Sequence, residues 1–233
     1  MLTRRDVVKI AAAGAAAVAA GARPAGAQEK RAPWQVWDEK TRPARGGYYR
    51  RAATLDVGLL NPNHWPVNDW LVINLFYEKL LITDGNFRPV PWLAESWTRS
   101  EDGRRYTLKL KPGLRFSDGR PFTSADVVFS LEAACDDASS SVLREALSVA
   151  GHPLRAVAEG DDTVVIEFPE VFAPGVRLLD NLPILPRHAL EHAWRGGRFG
   201  AAWGLGTPPQ DVVGLGPFVL AEYLPGQRVV LTR

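Results

Sequence analysis

Residues 114–130 of the chain are Leu114-Arg115-Phe116-Ser117-Asp118-Gly119-Arg120-Pro121-Phe122-Thr123-Ser124-Ala125-Asp126-Val127-Val128-Phe129-Ser130. The Asp118-Gly119 pair favours a tight turn, because glycine adopts the backbone conformations that such turns require. Thr123 precedes an apolar run and is followed three positions later by Asp126. That spacing is typical of a helix N-terminus, where the threonine caps the first amides and the acid lies at the positive helix end. The stretch predicts a turn followed at once by a helix over about 124–134.

Short strands are predicted on both sides of this stretch, from alternating apolar and polar residues and from the turns that bound them. The segments are a first strand within 48–60, a half-buried strand over 106–110, a strand over 163–168 closed by Pro169, and a hairpin of 217–222 and 228–231 around Pro225-Gly226. A loop rich in glycine and tryptophan is predicted over 195–210.

Helices are predicted at two further places. Apolar residues recur at helical spacing over 71–81, which predicts a helix that ends before Asp84. Residues 183–194 predict a short helix with Pro186 near its N-terminus. Because strands and helices are interleaved along the chain, a mixed α/β fold follows.

The N-terminal segment, residues 1–27, has the pattern of a secretory signal. Arg4, Arg5 and Lys9 precede an uncharged run over 10–22, and an Ala-x-Ala site ends at Ala27. Thirteen apolar residues are too few to cross a bilayer, which takes roughly 20. The paired arginines resemble the twin-arginine signal, so we expect export. We also expect cleavage after Ala27, followed by an extended lead-in over 28–46.

The charge of the chain argues against a polyanionic partner. Residues 1–27 hold four of the 28 basic residues and one of the 26 acidic residues, which leaves 24 bases and 25 acids in residues 28–233. A segment that is nearly neutral has no electrostatic reason to bind nucleic acid or an anionic membrane surface.

One motif has the spacing of a catalytic metal site. His188, Glu191 and His192 fit the His-x-x-Glu-His pattern of some zinc hydrolases, because histidines four positions apart share one face of a helix. A third ligand would have to come from Asp211 or Glu222. A surface helix that carries two histidines by chance is the alternative.

Other catalytic patterns are weak. The sequence has neither a Gly-x-Ser-x-Gly elbow nor a phosphate-binding glycine loop, and the single cysteine, Cys135, lacks basic neighbours that would lower the pKa of its thiol. Gly214-Leu215-Gly216 leads into a predicted strand rather than a helix, so it indicates a turn and not a dinucleotide site.

Several segments taken together resemble the extracellular solute-binding proteins, family 5, which serve peptide-type ABC importers. Besides residues 114–130, the segments that carry the resemblance are Leu75-Phe76-Tyr77-Glu78-Lys79-Leu80-Leu81, Pro89-Val90-Pro91-Trp92-Leu93-Ala94-Glu95-Ser96-Trp97, Tyr106 to Leu110, Leu185-Pro186-Arg187-His188, Gly214-Leu215-Gly216-Pro217-Phe218 and Pro225-Gly226-Gln227-Arg228. The resemblance covers about 47–233. The resemblance accounts for His188 as part of the segment 185–188 without requiring a metal, which weakens the zinc hypothesis.

The resemblance implies the first lobe of a type II periplasmic binding protein. It implies a smaller subdomain, about 75–180, inserted in that lobe, with a surface turn over 91–97 and a second lobe that follows this chain. The protein would bind a peptide or similar small solute without enzymatic activity, need no cofactor or metal, and deliver the solute to ABC permease subunits as a periplasmic monomer.

In this scheme the loop after the first strand contributes to the ligand cleft. We expect Trp65, Asn68, Asp69 and Trp70 to be its ligand-binding residues. A loop packed by its own tryptophans is the structural alternative. The residues that hold peptide termini in relatives lie beyond this chain, and a truncated product without a transport role is a third interpretation of the sequence.

Overall fold

The computed structural model describes residues 46–47, 49–50, 60–64, 70–204 and 206–233. Tyr48–Arg233 forms one compact unit. Three predicted segments lie wholly or mostly outside the described residues: the signal over 1–27, the lead-in over 28–46 and the first strand over 48–60. Among the residues described, no helix is both long enough and apolar enough to span a bilayer.

The helices are α1 (Trp70–Phe76), α2 (Ser124–Cys135) and α3 (Arg187–Arg195). The strands are β1 (Leu81–Thr83), β2 (Pro89–Pro91), β3 (Ala94–Arg99), β4 (Arg105–Leu110), β5 (Ser148–Val149), β6 (His152–Pro153), β7 (Arg155–Ala158), β8 (Thr163–Glu167), β9 (Val219–Leu224) and β10 (Arg228–Thr232). The mixed α/β prediction is confirmed.

A four-stranded antiparallel sheet in the order β3-β4-β8-β7 forms the centre of the unit. Tyr106 and Leu108 of β4 pair with Ile166 and Val164 of β8, and all four side chains are buried. Successive residues of a strand point to opposite faces and every second residue to the same face, so these four lie on one face of the sheet. The strands predicted over 106–110 and 163–168 are thereby confirmed to within a residue.

Helix α2 packs against β7 and β8. Its first residue is fixed to the turn between these strands, because the Ser124 amide donates to the carbonyl oxygen of Asp161 at 2.9 Å and its hydroxyl donates to that of Gly160. Thr123 is the N-cap residue, and the carboxylate of Asp126 accepts from the Thr123 amide at 2.9 Å. The helix predicted over 124–134 is confirmed.

The helix predicted over 71–81 ends five residues early. Its last carbonyls are taken by a distant segment: the Phe76 carbonyl accepts from the Gly216 amide at 2.6 Å, and the Leu75 carbonyl accepts from the Phe218 amide at 3.3 Å. The carbonyls of Glu78 and Lys79 then accept from the amides of Ile184 and Leu93, and Leu81 opens β1. Tertiary hydrogen bonds override the helical periodicity here.

The segment expected to form a surface turn over 91–97 is mostly strand, since β3 begins at Ala94. The Ala94 amide donates to the Leu80 carbonyl at 2.8 Å, and the Leu93 amide donates to the Lys79 carbonyl at 3.2 Å. These bonds hold the chain extended as it enters β3, and only Trp92 and Leu93 form a bend.

The C-terminal elements follow the prediction. Helix α3 begins directly after Pro186, and β9 and β10 form the predicted hairpin with Gly226 in the left-handed conformation at its turn. In the described part of the loop predicted over 195–210, Phe199–Ala201 forms a short 3-10 turn, and Pro209–Asp211 forms another at its end.

Candidate functional site

The turn at Ser117-Asp118 is bound to two segments far along the chain. The Ser117 amide donates to the Gly214 carbonyl at 2.9 Å, and the Gly214 amide donates back to the Ser117 hydroxyl oxygen at 3.2 Å. Asp118 Oδ2 lies 2.8 Å from His188 Nε2. The polar residues of the turn therefore join the approach to β9 and the start of α3.

Helix α2 makes two further bonds of this kind. Asp126 Oδ1 accepts from the Arg187 amide at 3.0 Å. The Ser130 hydroxyl accepts from the Leu185 amide at 2.8 Å and donates to the carbonyl of Asp126 at 2.6 Å. Both side chains are buried, where an unmet hydrogen bond is costly. Residues 185–187 are thereby held against α2.

Gly214 and Gly216 lie directly against the end of α1. A Cβ atom on Gly214 would stand 2.1 Å from the Phe76 carbonyl oxygen, and one on Gly216 would stand 2.2 Å from that of Leu75. Only glycine allows this backbone approach. The glycine pair is a turn that leads into a hairpin, as predicted, and it also fixes the C-terminal end of the helix that follows the predicted cleft loop.

The segment before that loop is anchored as firmly. The Leu60 amide donates to the Trp203 carbonyl at 3.1 Å, the Asn61 side chain donates to the Phe199 carbonyl at 2.7 Å, and the Asn63 carbonyl accepts from the Val142 amide at 3.0 Å. Two remote parts of the chain, residues 199–203 and Val142, therefore hold residues 60–63. The predicted cleft loop, 65–69, follows this anchored segment.

Tyr77 and Trp203 complete this anchor. The Tyr77 hydroxyl donates to the Leu60 carbonyl at 2.7 Å, and its ring stacks on Trp203 with centroids 6.2 Å apart. Burial raises the pKa of Tyr77 well above 10, so the hydroxyl stays a donor. Trp203 has φ of 56°. A left-handed backbone at a non-glycine residue costs on the order of 1 kcal/mol and is kept only where the surroundings enforce it.

Asn63 is the exception in this well-bonded segment. Its side chain is fully buried, yet neither Oδ1 nor Nδ2 has a hydrogen-bond partner among the residues that the structure describes. The neighbouring Asn61 is equally buried and uses both atoms, because its Oδ1 also accepts from the Asn63 amide at 3.1 Å. Nothing in the sequence pattern distinguishes Asn63 from Asn61.

The predicted ligand residues Trp65, Asn68 and Asp69 lie outside the described residues. Trp70 is the first residue of α1, and its side chain is likewise not described. Their assignment stays a prediction. Of the other loop aromatics, Trp203 is a buried anchor, whereas Trp92 is partly exposed and bonds Glu78 through its indole N–H.

The residues of the zinc motif have other partners. His188 contacts Asp118, and Glu191 accepts hydrogen bonds from Arg187 and Arg195. These two hydrogen bonds lower the pKa of Glu191. Within the described ranges no three His, Cys, Asp or Glu side chains come together in a way that could hold a metal ion. Burial raises the pKa of the Cys135 thiol to about 11, so the thiol is a poor nucleophile at neutral pH.

Comparison with known sequences identifies the family. The profile described as bacterial extracellular solute-binding proteins, family 5 Middle, matches residues 88–233. The chain belongs to this family of bacterial extracellular solute-binding proteins.

Individual relatives agree with this membership. A probable ABC transporter-binding protein of Deinococcus radiodurans is 26% identical over 81% of the chain and 32% of its own length. The periplasmic oligopeptide-binding protein OppA of Escherichia coli is 28% identical over 67% of the chain and 30% of its own length. The nickel-binding periplasmic protein of the same organism is 35% identical, but over only 36% of the chain and 16% of its own length. The chain thus spans about a third or less of these relatives.

Solved structures share the fold. The ABC transporter substrate-binding protein CtaP of Listeria monocytogenes superposes with a TM-score of 0.63 at 28% identity, over 77% of this chain and 35% of that protein. OppA of Haemophilus influenzae, solved with the peptide RPPGFSPFR, gives 0.65 at 23% identity, over 77% and 36%. The fold is that of a type II periplasmic binding protein, and the chain corresponds to part of it.

Proposed function

We propose that the chain is the first-lobe portion of the substrate-binding component of an ABC importer for peptides or similar small solutes. The observation that carries this proposal is the anchored segment at 60–63, which brings the chain into residues 65–69 at a fixed point within a solute-binding fold. A loop that follows an anchored segment is suited to ligand recognition, because the fold has already restricted the entry to the loop before the ligand binds.

Peptides are the solute class that we favour. The similarity to the oligopeptide-binding protein of Escherichia coli extends over 67% of the chain, whereas that to the nickel-binding protein extends over 36%. Trp65 and Trp70 would supply apolar contact area, and Asn68 and Asp69 would meet the polar groups of the ligand.

The location and partners follow from the same proposal. Residues 1–27 direct export, the signal is cleaved after Ala27, and the protein acts in the periplasm. It binds its solute as a monomer between two lobes, closes by a hinge motion and docks on ABC permease subunits. It carries out no reaction and takes no nucleic acid, cofactor or resident metal.

Titration of the natural, full-length protein with trialanine in a calorimeter tests the proposal. We expect Trp65→Ala or Asp69→Asn to weaken binding at least tenfold without lowering the melting temperature. Trp92→Ala is the matched control, since Trp92 lies on the β2–β3 connection and is not one of the predicted ligand-binding residues. Equal affinities in all four proteins would contradict the site, and no binding of peptide by any of them would contradict the ligand class.

A further inference from the structure

A groove of about 360 Å³ lies between α2, α3 and β7. Its size falls in the range of ligand sites in proteins. The floor is one stripe of α2, formed by Ala125, Val128, Phe129 and Glu132, which are spaced as residues on one helix face. Seven residues of helix span roughly 10 Å, so the groove is long enough for an extended segment of about three residues.

One wall of the groove is the outer edge of the central sheet. Three consecutive residues of β7, Ala156, Val157 and Ala158, line it. Successive side chains of a strand point to opposite faces, so a groove that touches all three runs along the strand edge. β7 is the last strand of its sheet and pairs only with β8 among the described strands.

The register shows which backbone groups face the groove. The Glu159 amide donates to the Thr163 carbonyl at 2.8 Å, so this pair is hydrogen-bonded. In an antiparallel ladder bonded and non-bonded pairs alternate, and the pairs of Ala156 with Ile166 and Ala158 with Val164 are therefore non-bonded. The N–H and C=O groups of Ala156 and Ala158 point away from β8, and the described part of the chain supplies no backbone partner for them.

The other wall, on α3, carries guanidinium donors that can meet a carboxylate. Arg187 and Arg195 both donate to one carboxylate, Glu191, with contacts of 2.9 Å from Arg187 Nε and 2.6 Å from Arg195 Nη2. With Glu132 the lining holds two basic and two acidic side chains, so the groove is near neutral, which argues against a polyanionic ligand. Both arginines reach Glu191 through Nε and Nη2, and within the described part of the chain their Nη1 groups have no hydrogen-bond partner, so they can donate to a single carboxylate.

We propose that this groove is a second binding site, which takes an extended peptide segment with one carboxylate as an additional strand beside β7. The segment pairs with the outward groups of Ala156 and Ala158, lays small side chains on the floor of α2, and places its carboxylate at the arginines. This is β-strand addition to an exposed sheet edge. The lining includes none of the predicted ligand-binding residues, and the proposal does not rest on the proposed function.

The test uses the 15N-labelled full chain and the peptide acetyl-Val-Thr-Val-Glu-amide. We expect saturation with the peptide to slow exchange of the Ala156 and Ala158 amide protons at least tenfold, and we expect the Gln analogue of the peptide to bind at least fivefold more weakly. Unchanged exchange at both amides, or equal affinity for the two peptides, would overturn the proposal.

Two variants with a control locate the binding. Ala158→Pro removes an outward N–H without removing a bond to β8, and Arg195→Ala removes a guanidinium; each should weaken binding about tenfold at an unchanged melting temperature. Arg198→Ala, beyond the end of α3 and outside the groove, should bind as the original chain does. Retained affinity in both groove variants would overturn the proposal. So would a concentration-dependent dimer that covers the groove and excludes the peptide, because a second copy would then be its occupant.

Discussion

The amide of Gly216 donates a hydrogen bond of 2.6 Å to the carbonyl oxygen of Phe76, at the point where α1 ends. The contact closes a link between two segments 140 positions apart. The backbones of the two segments come so close that no side chain fits at position 216, so the contact requires glycine there.

Gly216→Ala should therefore destabilise the protein strongly. The added Cβ would stand 2.2 Å from the Leu75 carbonyl oxygen, and the backbone would have to move. Overpacking of this kind costs about 1–3 kcal/mol or more in free energy of unfolding, which urea denaturation measures. Gly113→Ala is the control, since its Cβ would meet nothing within 4 Å and only its left-handed backbone, φ 76°, is strained. A smaller loss for Gly216→Ala than for Gly113→Ala would contradict the packing argument.

Asp126→Ala should be more destabilising than the loss of a helix cap alone. One carboxylate oxygen accepts from the Thr123 amide and the other from the Arg187 amide, and the side chain is buried. Removal leaves two amides unbonded, which we expect to lower the free energy of unfolding by about 3 kcal/mol. Thr123→Ala should cost about 1 kcal/mol and serves for comparison. Equal losses for the two variants would mean that the bond to Arg187 contributes nothing.

The stabilisation by Asp118 should depend on pH. Burial acts to raise the pKa of Asp118, but the Arg120 amide and the His188 side chain together outweigh it and lower the pKa below its ordinary value of 3.8. A carboxylate with a lowered pKa stabilises the fold above the ordinary value, and this stabilisation is lost as the pH falls through the folded value. The melting temperature of Asp118→Asn should thus lie below that of the original protein at pH 7, and the gap should close toward pH 3. A constant gap from pH 7 to pH 3 would rule out this linkage.

The two buried asparagines should respond in opposite ways to leucine. Asn61→Leu removes bonds to the Phe199 carbonyl and the Asn63 amide, so we expect a loss of about 2 kcal/mol in stability. Asn63→Leu removes a side chain whose polar atoms are buried without hydrogen-bond partners in the described part of the chain, so stability should stay the same or rise by about 1 kcal/mol. Chemical denaturation of the matched pair measures both. A large loss in Asn63→Leu would show that this amide is bonded in solution.

Local patterns predicted the elements whose determinants lie within a few residues. The N-cap at Thr123 with Asp126 set the start of α2, and the alternation over 106–110 set β4. The sequence could not show which residues form hydrogen bonds with the side chains of Asp126 and Ser117, because these partners lie 61 and 97 positions away.

The errors have the same physical origin. Periodicity over 71–81 favoured a long helix, but the amides of Gly216 and Phe218 take the carbonyls that would continue it. The strand at 94–99 was missed because hydrogen bonds to Lys79 and Leu80, rather than its own alternation, draw the chain into the sheet. Trp203 lies in the loop predicted over 195–210, but its left-handed backbone is imposed by contacts that no local pattern encodes.

Peptide uptake by the native host tests the central claim most directly. Uptake of radiolabelled trialanine is measured in the original strain, in a strain that lacks the gene, and in that strain complemented with the original gene or with the Trp65→Ala variant. The account predicts that deletion lowers uptake at least tenfold, that the original gene restores it, and that the variant does not. Uptake that is unchanged by deletion would contradict a role for this protein as the binding component of a peptide importer.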